Sequence, residues 1–334
     1  MAKIVLGLAT SHAPQLRMAP DQWYRRVEAD KKNAELWYRG KTYTYPELVE
    51  ERSDQHLGKE LGDEKAQQRF EACQKAIGQL ASTLDRVSPD VVVIVGDDQH
   101  ESFNDDNMPA ISVYWGDTVD DAPLARNEGY YTPELLFTPW ANAPKERVSH
   151  PTDSNLGLHT IQSLMDSGFD VAHSRSLPVH NHGGAIGHAV HFVYRRLMNN
   201  EVIPNVPILL NTYFPPNQPS PKRCYQLGQA LREAIESWGN DKRVAVVASG
   251  GLSHFVIEED LDQHIIDALK TKDADKLTSL PAIRFNSGTS EIRNWMVVAG
   301  ALADDEREMD LVDYVPCYRS EAGTGCAMGF AQWV

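Results

Sequence analysis

Short apolar runs alternate along the chain with longer segments in which apolar residues recur at helical spacing. Five of the short runs, generally rich in Val and Ile and bounded by polar or glycine residues, are typical of buried strands. They are Ile4–Leu8, Val91–Val95, Ala110–Tyr114, Val206–Leu210 and Val244–Ala248. Pro207 predicts a strand start or an edge position for the fourth run, because proline cannot donate to a ladder.

Helical periodicity extends over six segments that alternate with the predicted strands. The segments are about 64–86, 156–167, 184–198, 221–238, 259–270 and 289–303. This alternation predicts an α/β fold with a largely parallel central sheet flanked by helices, in a single domain over residues 1–334. A shorter strand is expected at about 169–174, and 311–333 predicts further strands that are antiparallel at an edge.

Two long segments interrupt the alternating pattern as insertions. Residues 18–60 are charged and aromatic, and residues 117–155 are rich in Pro, Asn and Tyr. Loops of this length in a compact domain are commonly lids or binding loops, so we expect them over the carboxyl ends of the strands. Surface decoration or contact between subunits is the alternative interpretation.

The composition narrows the classes of partner and compartment. A formal net charge of −15 and a pI of about 5.2 argue against nucleic acid and anionic membranes, since the mean field repels phosphates. The apolar run Ile4–Ala9 is too short for a signal sequence or a membrane span. Four cysteines are scattered without CxxC spacing, as expected in a reducing compartment. We therefore expect a cytoplasmic protein, and a homodimer is the commonest assembly.

Histidines follow several of the predicted strands. His12 follows the first strand, His100 the second and His254 the fifth. His180 and His182 follow the shorter strand at about 169–174. Ligands of open α/β sheets bind in the crevice beyond the carboxyl ends of the strands, so these histidines are expected to converge on one site.

The chemistry suggested by converging histidines is metal binding. Two imidazoles and a carboxylate with open positions form the facial arrangement of non-haem iron(II) oxygenases, and zinc hydrolases use a similar set. The ligand types alone therefore leave the metal open. The HExxH helix of zinc peptidases is absent, as are GxSxG, a P-loop and GxGxxG. Ser253 beside His254 has no elbow motif around it, which argues against a serine nucleophile.

A series of short motifs gives a more specific indication when the motifs are taken in order. They are Ser11-His12-Ala13-Pro14, Val91 to His100 with Ser102-Phe103, His182-Gly183, Thr212 to Pro216 with Lys222-Arg223-Cys224, Gly250 to His254, and Ser287 to Glu291 ahead of Trp295 and Gly300-Ala301-Leu302. In this order the chain resembles the class III, LigB-type extradiol dioxygenases, the family of the protocatechuate 4,5-dioxygenase β-subunit. The resemblance covers most of the chain outside the two insertions.

The resemblance implies an Fe(II) enzyme that opens the ring of an aromatic diol with O2. By resemblance His12, His100 and Glu291 are the iron ligands, His254 is the catalytic acid and base, and His182 lines the site. The competing carboxylates are Glu258, Glu259 and Asp260. Glu291 is preferred over them because Thr289 or Ser290 can cap a helix there, with Ile292, Trp295, Met296 and Ala299 following at helical spacing.

The substrate that the resemblance favours is 3-O-methylgallate or gallate, from lignin-derived aromatic catabolism. Such substrates carry a carboxylate, which requires a cationic, hydroxyl or amide partner. The candidate partners are Arg319, Ser320, Thr324, Tyr130 and Tyr131. A protocatechuate, aminophenol or other catechol dioxygenase, a zinc-dependent hydrolase and a metal-free binding protein on the same sheet are the alternatives.

Overall fold

The computed structural model describes residues 1–123, 144–179 and 182–334. Its strands are β1 Lys3–Thr10, β2 Leu36–Tyr38, β3 Lys41–Tyr43, β4 Val91–Asp97, β5 Ile111–Tyr114, β6 Thr118–Asp121, β7 Val148–Pro151, β8 Ala172–Ser174, β9 Asn205–Leu210, β10 Arg243–Ser249, β11 His254–Val256, β12 Asp310–Tyr318 and β13 Thr324–Trp333. Each of the five apolar runs predicted as strands lies within or nearly within one of these strands, so the strand predictions are confirmed.

The helices follow the predicted periodic segments closely. They are α1 Val27–Lys32, α2 Tyr45–Glu51, α3 Asp63–Val87, α4 Ser154–Asp166, α5 His188–Phe192, α6 Pro221–Ser237, α7 Glu259–Lys270, α8 Ala274–Thr278 and α9 Ile292–Ala301. Helix α5 continues as a π-helical turn over Val193–Leu197. Shorter 3-10 segments are Pro14–Leu16, Pro20–Arg26, Ser53–Gln55, Leu57–Glu60, Ala282–Phe285 and Ser287–Glu291.

A nine-stranded sheet forms the centre of the fold, in the order β11-β13-β1-β10-β4-β9-β5-β8, with β12 paired to β13. The neighbours β1, β10, β4 and β9 are mutually parallel, whereas β5 is antiparallel to β9 and β13 is antiparallel to β1. The predicted α/β class with a largely parallel sheet is therefore confirmed.

One predicted detail of the sheet was wrong. Pro207 lies inside β9, between β4 and β5 and opposite Ile94, and not at an edge. A proline inside a sheet has no N–H to donate to the ladder, whereas the neighbouring residues of β9 have one. The strands in 311–333 are antiparallel as predicted, and among the described strands β12 pairs only with β13, so it lies at the edge of the sheet.

The alternation of side chains along the central strands produces two core layers. Val91, Val93 and Val95 belong to one layer, which is covered by α6, α7 and α9. Val92 and Ile94 belong to the other layer, which is covered by α3 and α5. Because both faces are buried, these strands are apolar at every position, as is typical of parallel sheets.

The insertion over 18–60 contains α1, the β2–β3 hairpin and α2, and it packs against β11 and the turn before β13. The described part of the 117–155 insertion forms the β6–β7 hairpin and the start of α4. Tyr130 and Tyr131 lie outside the described residues. No described helix combines the length and the apolar character needed to cross a bilayer.

Candidate metal centre

The carboxyl ends of β1, β4 and β10 meet at one edge of the sheet because these neighbouring strands are parallel. His12 lies two residues beyond β1, Asp97 ends β4, and the turn after β10 leads to His254. Glu291, the residue directly before α9, lies at the same edge. Trp295 fixes that helix to the turn, because its Nε1 donates to the carbonyl of Gly250 at 2.8 Å.

Four buried side chains converge at this edge. His12, Asp97, His188 and Glu291 each offer one ligand atom, and these atoms all lie within 4.8 Å of one another. The Nε2 of His12 lies 3.1 Å from Glu291 Oε2 and 3.9 Å from Asp97 Oδ1. The Nε2 of His188 lies 3.6 Å from Asp97 Oδ2. Two imidazoles with two carboxylates form a donor set for a divalent metal ion.

The hydrogen bonds around His12 prepare it for a metal. Ser249 Oγ donates to the carbonyl of Ala189 at 2.6 Å, so it accepts the Nδ1–H of His12 at 3.0 Å. In the neutral ring this leaves the Nε2 lone pair pointing at the Glu291 carboxylate, and no described residue forms a hydrogen bond with Nε2. Two lone pairs facing each other in a buried site are compensated when a cation lies between them, so these residues fit a metal ion.

Glu291 accepts hydrogen bonds on both of its carboxylate oxygens. Its Oε2 accepts from the backbone N–H of Gly251 at 2.7 Å, and its Oε1 accepts from Gln99 Nε2 at 3.1 Å. His254 Nε2 lies 3.1 Å from Oε1. Burial alone would raise the pKa of Glu291, but its interactions with His254 and His12 outweigh burial and hold that pKa well below the ordinary value.

His188 is held by Glu101, which lies four residues beyond Asp97. Glu101 accepts from the backbone N–H of His188 at 2.9 Å and contacts its Nδ1 at 2.8 Å. Burial opposes the charged forms of both groups, but their attraction raises the pKa of His188 to about 10 and lowers that of Glu101 to about 2. Burial, with the charge of Glu291, raises the pKa of Asp97.

The predicted ligand His100 lies outside this four-residue group. Its ring stacks on Phe214, with centroids 3.6 Å apart and planes 7° apart, and its Nε2 lies 3.3 Å from Asp105. The preceding residue, Gln99, faces the group and donates to both Asp97 and Glu291 at 3.1 Å. The turn has His100 at φ +61°, a left-handed conformation that directs the two neighbouring side chains to different places. The ligand role of His100 thus stays a prediction.

His254 is presented to the group in a fixed orientation. Its Nδ1 donates to the carbonyl of Leu252 at 2.7 Å, which leaves Nε2 directed at Glu291. Burial would lower the pKa of His254, but the negative charge of Glu291 outweighs it and raises the pKa to about 9. A Cβ added at Gly251 or Gly288 would lie within 3 Å of the His254 ring, so both glycines allow this close packing.

His182 belongs to a second set of buried polar side chains beside the group. Its Nε2 lies 3.2 Å from His191 Nε2, and the other nitrogen of His191 contacts the carboxylate of Asp121. Asp121 also accepts from Arg195 Nη2 at 2.6 Å. His191 is three residues beyond His188, so one face of α5 connects this set to the candidate metal ligands.

The sequence of this chain is similar to that of a known protein family. The model for the catalytic LigB subunit of aromatic ring-opening dioxygenase matches residues 57–324, most of the chain. The chain belongs to the LigB family.

Curated relatives are similar to this LigB-family chain over part of their length. This chain is 30% identical over 172 residues to the gallate dioxygenase of Pseudomonas putida, and the match covers 48% of this chain and 49% of that protein. It is 29% identical over 180 residues to the 2,3-dihydroxyphenylpropionate/2,3-dihydroxicinnamic acid 1,2-dioxygenase of Photorhabdus laumondii, covering 53% and 46%. The chain thus spans about half the length of the curated relatives it matches.

The carboxylates that competed with Glu291 have other partners in the LigB-family structure. Glu258 pairs with Arg284 at 2.7 Å, Asp260 pairs with Arg39 at 2.5 Å, and Glu259 accepts from the hydroxyl of Tyr318 at 2.7 Å. The reasoning that favoured Glu291 was wrong in one respect. Thr289 and Ser290 do not cap α9, because their hydroxyls bond to the carbonyl of His254 and to Thr212.

The predicted substrate contacts near the C-terminus are engaged in a buried network. Arg319 donates through Nε and Nη2 to the two carboxylate oxygens of Asp30, each at 2.7 Å. Thr324 Oγ1 donates to Asp30 at 2.6 Å and lies 2.7 Å from Ser320 Oγ. These contacts fasten α1 of the 18–60 insertion to the β12–β13 connection. The substrate roles of Arg319, Ser320 and Thr324 stay predictions.

Sequence reasoning missed Asp97, Gln99, Glu101 and His188. Asp97, Gln99 and Glu101 lie in the same strand–turn segment as His100, but the sequence of that segment does not indicate which side chains face the candidate metal site. His188 carried a usable signal, because it and His191 are three residues apart within a predicted helix and so share a face. A pair of histidines at that spacing on an otherwise apolar helix indicates a buried polar site.

Proposed function

We propose that the protein is a non-haem Fe(II)-dependent extradiol dioxygenase that opens the aromatic ring of a catechol-type substrate with O2. Gallate or 3-O-methylgallate is the proposed substrate. The observation that carries the proposal is the buried group of His12, Asp97, His188 and Glu291, with His254 in contact with the same Glu291 carboxylate. The family membership and the names of the relatives support the reaction class.

Of the three ligands predicted from the sequence, His12 and Glu291 would hold the iron in this proposal. His188 and Asp97, which belong to the same group, would take the place of His100. Bound there, Fe(II) would supply Lewis acidity for ionisation of the diol and sites where substrate and dioxygen come together. Glu101, Gln99 and Ser249 keep these four side chains in place through the hydrogen bonds described above. Such outer contacts fix the orientation of metal ligands and tune their basicity.

With a metal ion offsetting the negative charge of Glu291, His254 would be unprotonated and would take the proton of a substrate hydroxyl. Because its Nδ1–H is bound by the Leu252 carbonyl, Nε2 is the atom that accepts and later returns the proton. Glu291 stabilises the protonated ring, and burial keeps water away from the same nitrogen. The adjacent strand β10 is buried along six of its seven residues, so it gives a rigid support for the turn.

His182 would accept a hydrogen bond from a substrate hydroxyl. The contact of Asp121 with His191 Nδ1 places the proton of the neutral ring on that nitrogen. His191 Nε2 then accepts from His182 Nε2, which fixes the tautomer of His182 with Nδ1 as the acceptor. Asp121 and His191 therefore act as positioning residues for His182.

The function is tested by metal analysis of protein purified without oxygen, followed by reloading with Fe(II) or Zn(II). We expect about one iron per chain, and oxygen consumption with ring opening of gallate only in the Fe(II) form. Glu291→Gln should abolish both metal binding and turnover, while His173→Ala, an exposed histidine elsewhere, should change neither. Hydrolytic activity of the Zn(II) form without oxygen uptake would contradict the proposal. The homodimer and the cytoplasmic location stay predictions.

A further inference from the structure

Arg26, at the end of the 3-10 segment Pro20–Arg26, is a buried cation of the 18–60 insertion. The residue is 8% exposed, and its Nε is buried without a hydrogen-bond partner among the residues that the structure describes. Within residues 1–123, 144–179 and 182–334, its guanidinium forms no ion pair with a carboxylate. A buried charge without a partner is costly, and it is retained in proteins mainly where a ligand completes it.

The neighbouring carboxylate does not neutralise Arg26. Asp30 lies nearby, but both of its oxygens accept from Arg319, and one also accepts from Thr324. Burial and the positive charge of Arg319 lower the pKa of Arg26 to about 10, so the guanidinium is still protonated at neutral pH. Two arginines and one aspartate leave one positive charge in excess in this buried cluster.

The excess charge lies on the side of the sheet that carries His254. Cys326 is directly opposite His254 in the antiparallel β11–β13 pair, so their side chains share a face. Thr324, two residues from Cys326, contacts Asp30 from the same face.

A second connection leads from the cluster to His12. Arg319 Nη1 donates to Gln15 Oε1 at 3.3 Å, and Gln15 is buried three residues beyond His12. The cluster of Arg26, Asp30 and Arg319 is thus adjacent in the fold to the segments that carry His12 and His254. An anionic substituent on a diol held at the candidate metal centre would find its counter-charge here.

We propose that Arg26 binds the carboxylate of the aromatic diol and so selects carboxylated substrates over uncharged ones. This inference rests on the proposed function and adds a residue that determines specificity. The relatives named above act on gallate and on dihydroxyphenylpropionate, both of which are carboxylic acids. Arg319 is less suited to the role, because Asp30 already occupies its guanidinium in a two-point contact.

The test compares a carboxylated and an uncharged substrate of the same ring, gallate and pyrogallol. Calorimetry on anaerobic, Fe(II)-loaded protein measures binding, and oxygen uptake measures turnover. For Arg26→Met we expect the ratio of gallate affinity to pyrogallol affinity to fall by about tenfold or more, since one charge-assisted contact is lost. Arg26→Lys keeps the charge but not the planar fork, and should fall between Arg26→Met and wild type.

The exposed neighbour Arg25 supplies the matched control, and Arg25→Met should leave the ratio at the wild-type value. An equal loss of affinity for both compounds in Arg26→Met and Arg26→Lys would overturn the inference in favour of a structural role. An unchanged ratio would also overturn it. If wild-type protein binds gallate through Arg26 but opens no ring, the proposed function fails while the assignment of Arg26 stands.

Discussion

The turn after β4 presents two neighbouring side chains, Gln99 and His100, to different surroundings. His188 of α5 supplies the second imidazole of the four-residue group, beside His12. We expect His188→Ala to lose the metal as completely as His12→Ala, because either change leaves one imidazole among three remaining donors. Metal content per chain after anaerobic purification measures this directly.

The control for that prediction is His100→Ala. Because the His100 ring stacks on Phe214 and contacts Asp105, we expect this variant to retain most of its metal. Metal loss in His100→Ala together with retention in His188→Ala would instead establish the ligand set of His12, His100 and Glu291.

His254 differs from the ligands in what its removal should do. It contacts Glu291 through Nε2 but is not one of the four convergent side chains. We expect His254→Gln to retain the metal and the diol while turnover falls by about 10²–10⁴-fold, the usual effect of losing a general base. Metal content, diol affinity and turnover of one preparation measure the three effects together, and metal loss or near-normal turnover would contradict the role.

At the scale of elements, the position of α9 depends on close packing against α6. A Cβ at Gly228 of α6 would lie 1.9 Å from the Val297 carbonyl and 2.7 Å from the Ala301 nitrogen, both backbone atoms of α9. Backbone cannot rotate away as a side chain can. We therefore expect Gly228→Ala to lower the free energy of unfolding by about 1–3 kcal/mol or more, measured by urea denaturation.

Gly78 of α3 is the matched control, because a Cβ there meets no atom within 4 Å. Gly78→Ala should raise the free energy of unfolding by about 0.5–1 kcal/mol, since alanine restricts the unfolded chain and favours the helix. Because Glu291 directly precedes α9, a displacement of that helix in Gly228→Ala should also weaken metal binding. Equal stabilities of the two variants would contradict the packing argument.

At the scale of the whole molecule, two buried aspartates give stability opposite dependences on pH. Burial raises the pKa of Asp262 to about 7, despite hydrogen bonds from Ser253 and Tyr314. Contacts with His150, His191 and Arg195 outweigh burial at Asp121 and lower its pKa to about 2. In the unfolded chain both carboxyls have a pKa of about 3.8.

The sign of each pH dependence follows from whether the folded or the unfolded state binds more protons. Between about pH 4 and pH 7 the folded state keeps the Asp262 proton that the unfolded state releases, so the Asp262 contribution to stability falls as pH rises. Between about pH 4 and pH 2 the unfolded state protonates Asp121 first, so the Asp121 contribution is lost as pH falls. Urea unfolding of metal-free protein from about pH 3 to pH 8 should therefore show a flatter upper range in Asp262→Asn and a flatter acid limb in Asp121→Asn. A wild-type pH profile in either variant would contradict its assignment.

The sequence by itself determined the central strands and the longer helices, because each of them buries a face that its own local period encodes. The runs at Val91–Val95 and Val244–Ala248 are apolar throughout since both faces of the parallel sheet are covered. It also placed His12 and His254 at strand ends and Glu291 at a helix start, and the parallel sheet brings these three together. Local pattern suffices there because strand direction alone carries the ends to one edge.

Only the tertiary structure decided which side chains complete the site and which ones fasten the insertion. The choice between Gln99 and His100 depends on one left-handed residue in a turn, and the arrival of His188 depends on how α5 crosses the sheet. Arg319 and Asp30 are 289 residues apart, so no local pattern couples them. Their pairing leaves Arg26 as the cation in excess, because charge balance in a buried cluster is a property of side chains that meet only after the chain has folded.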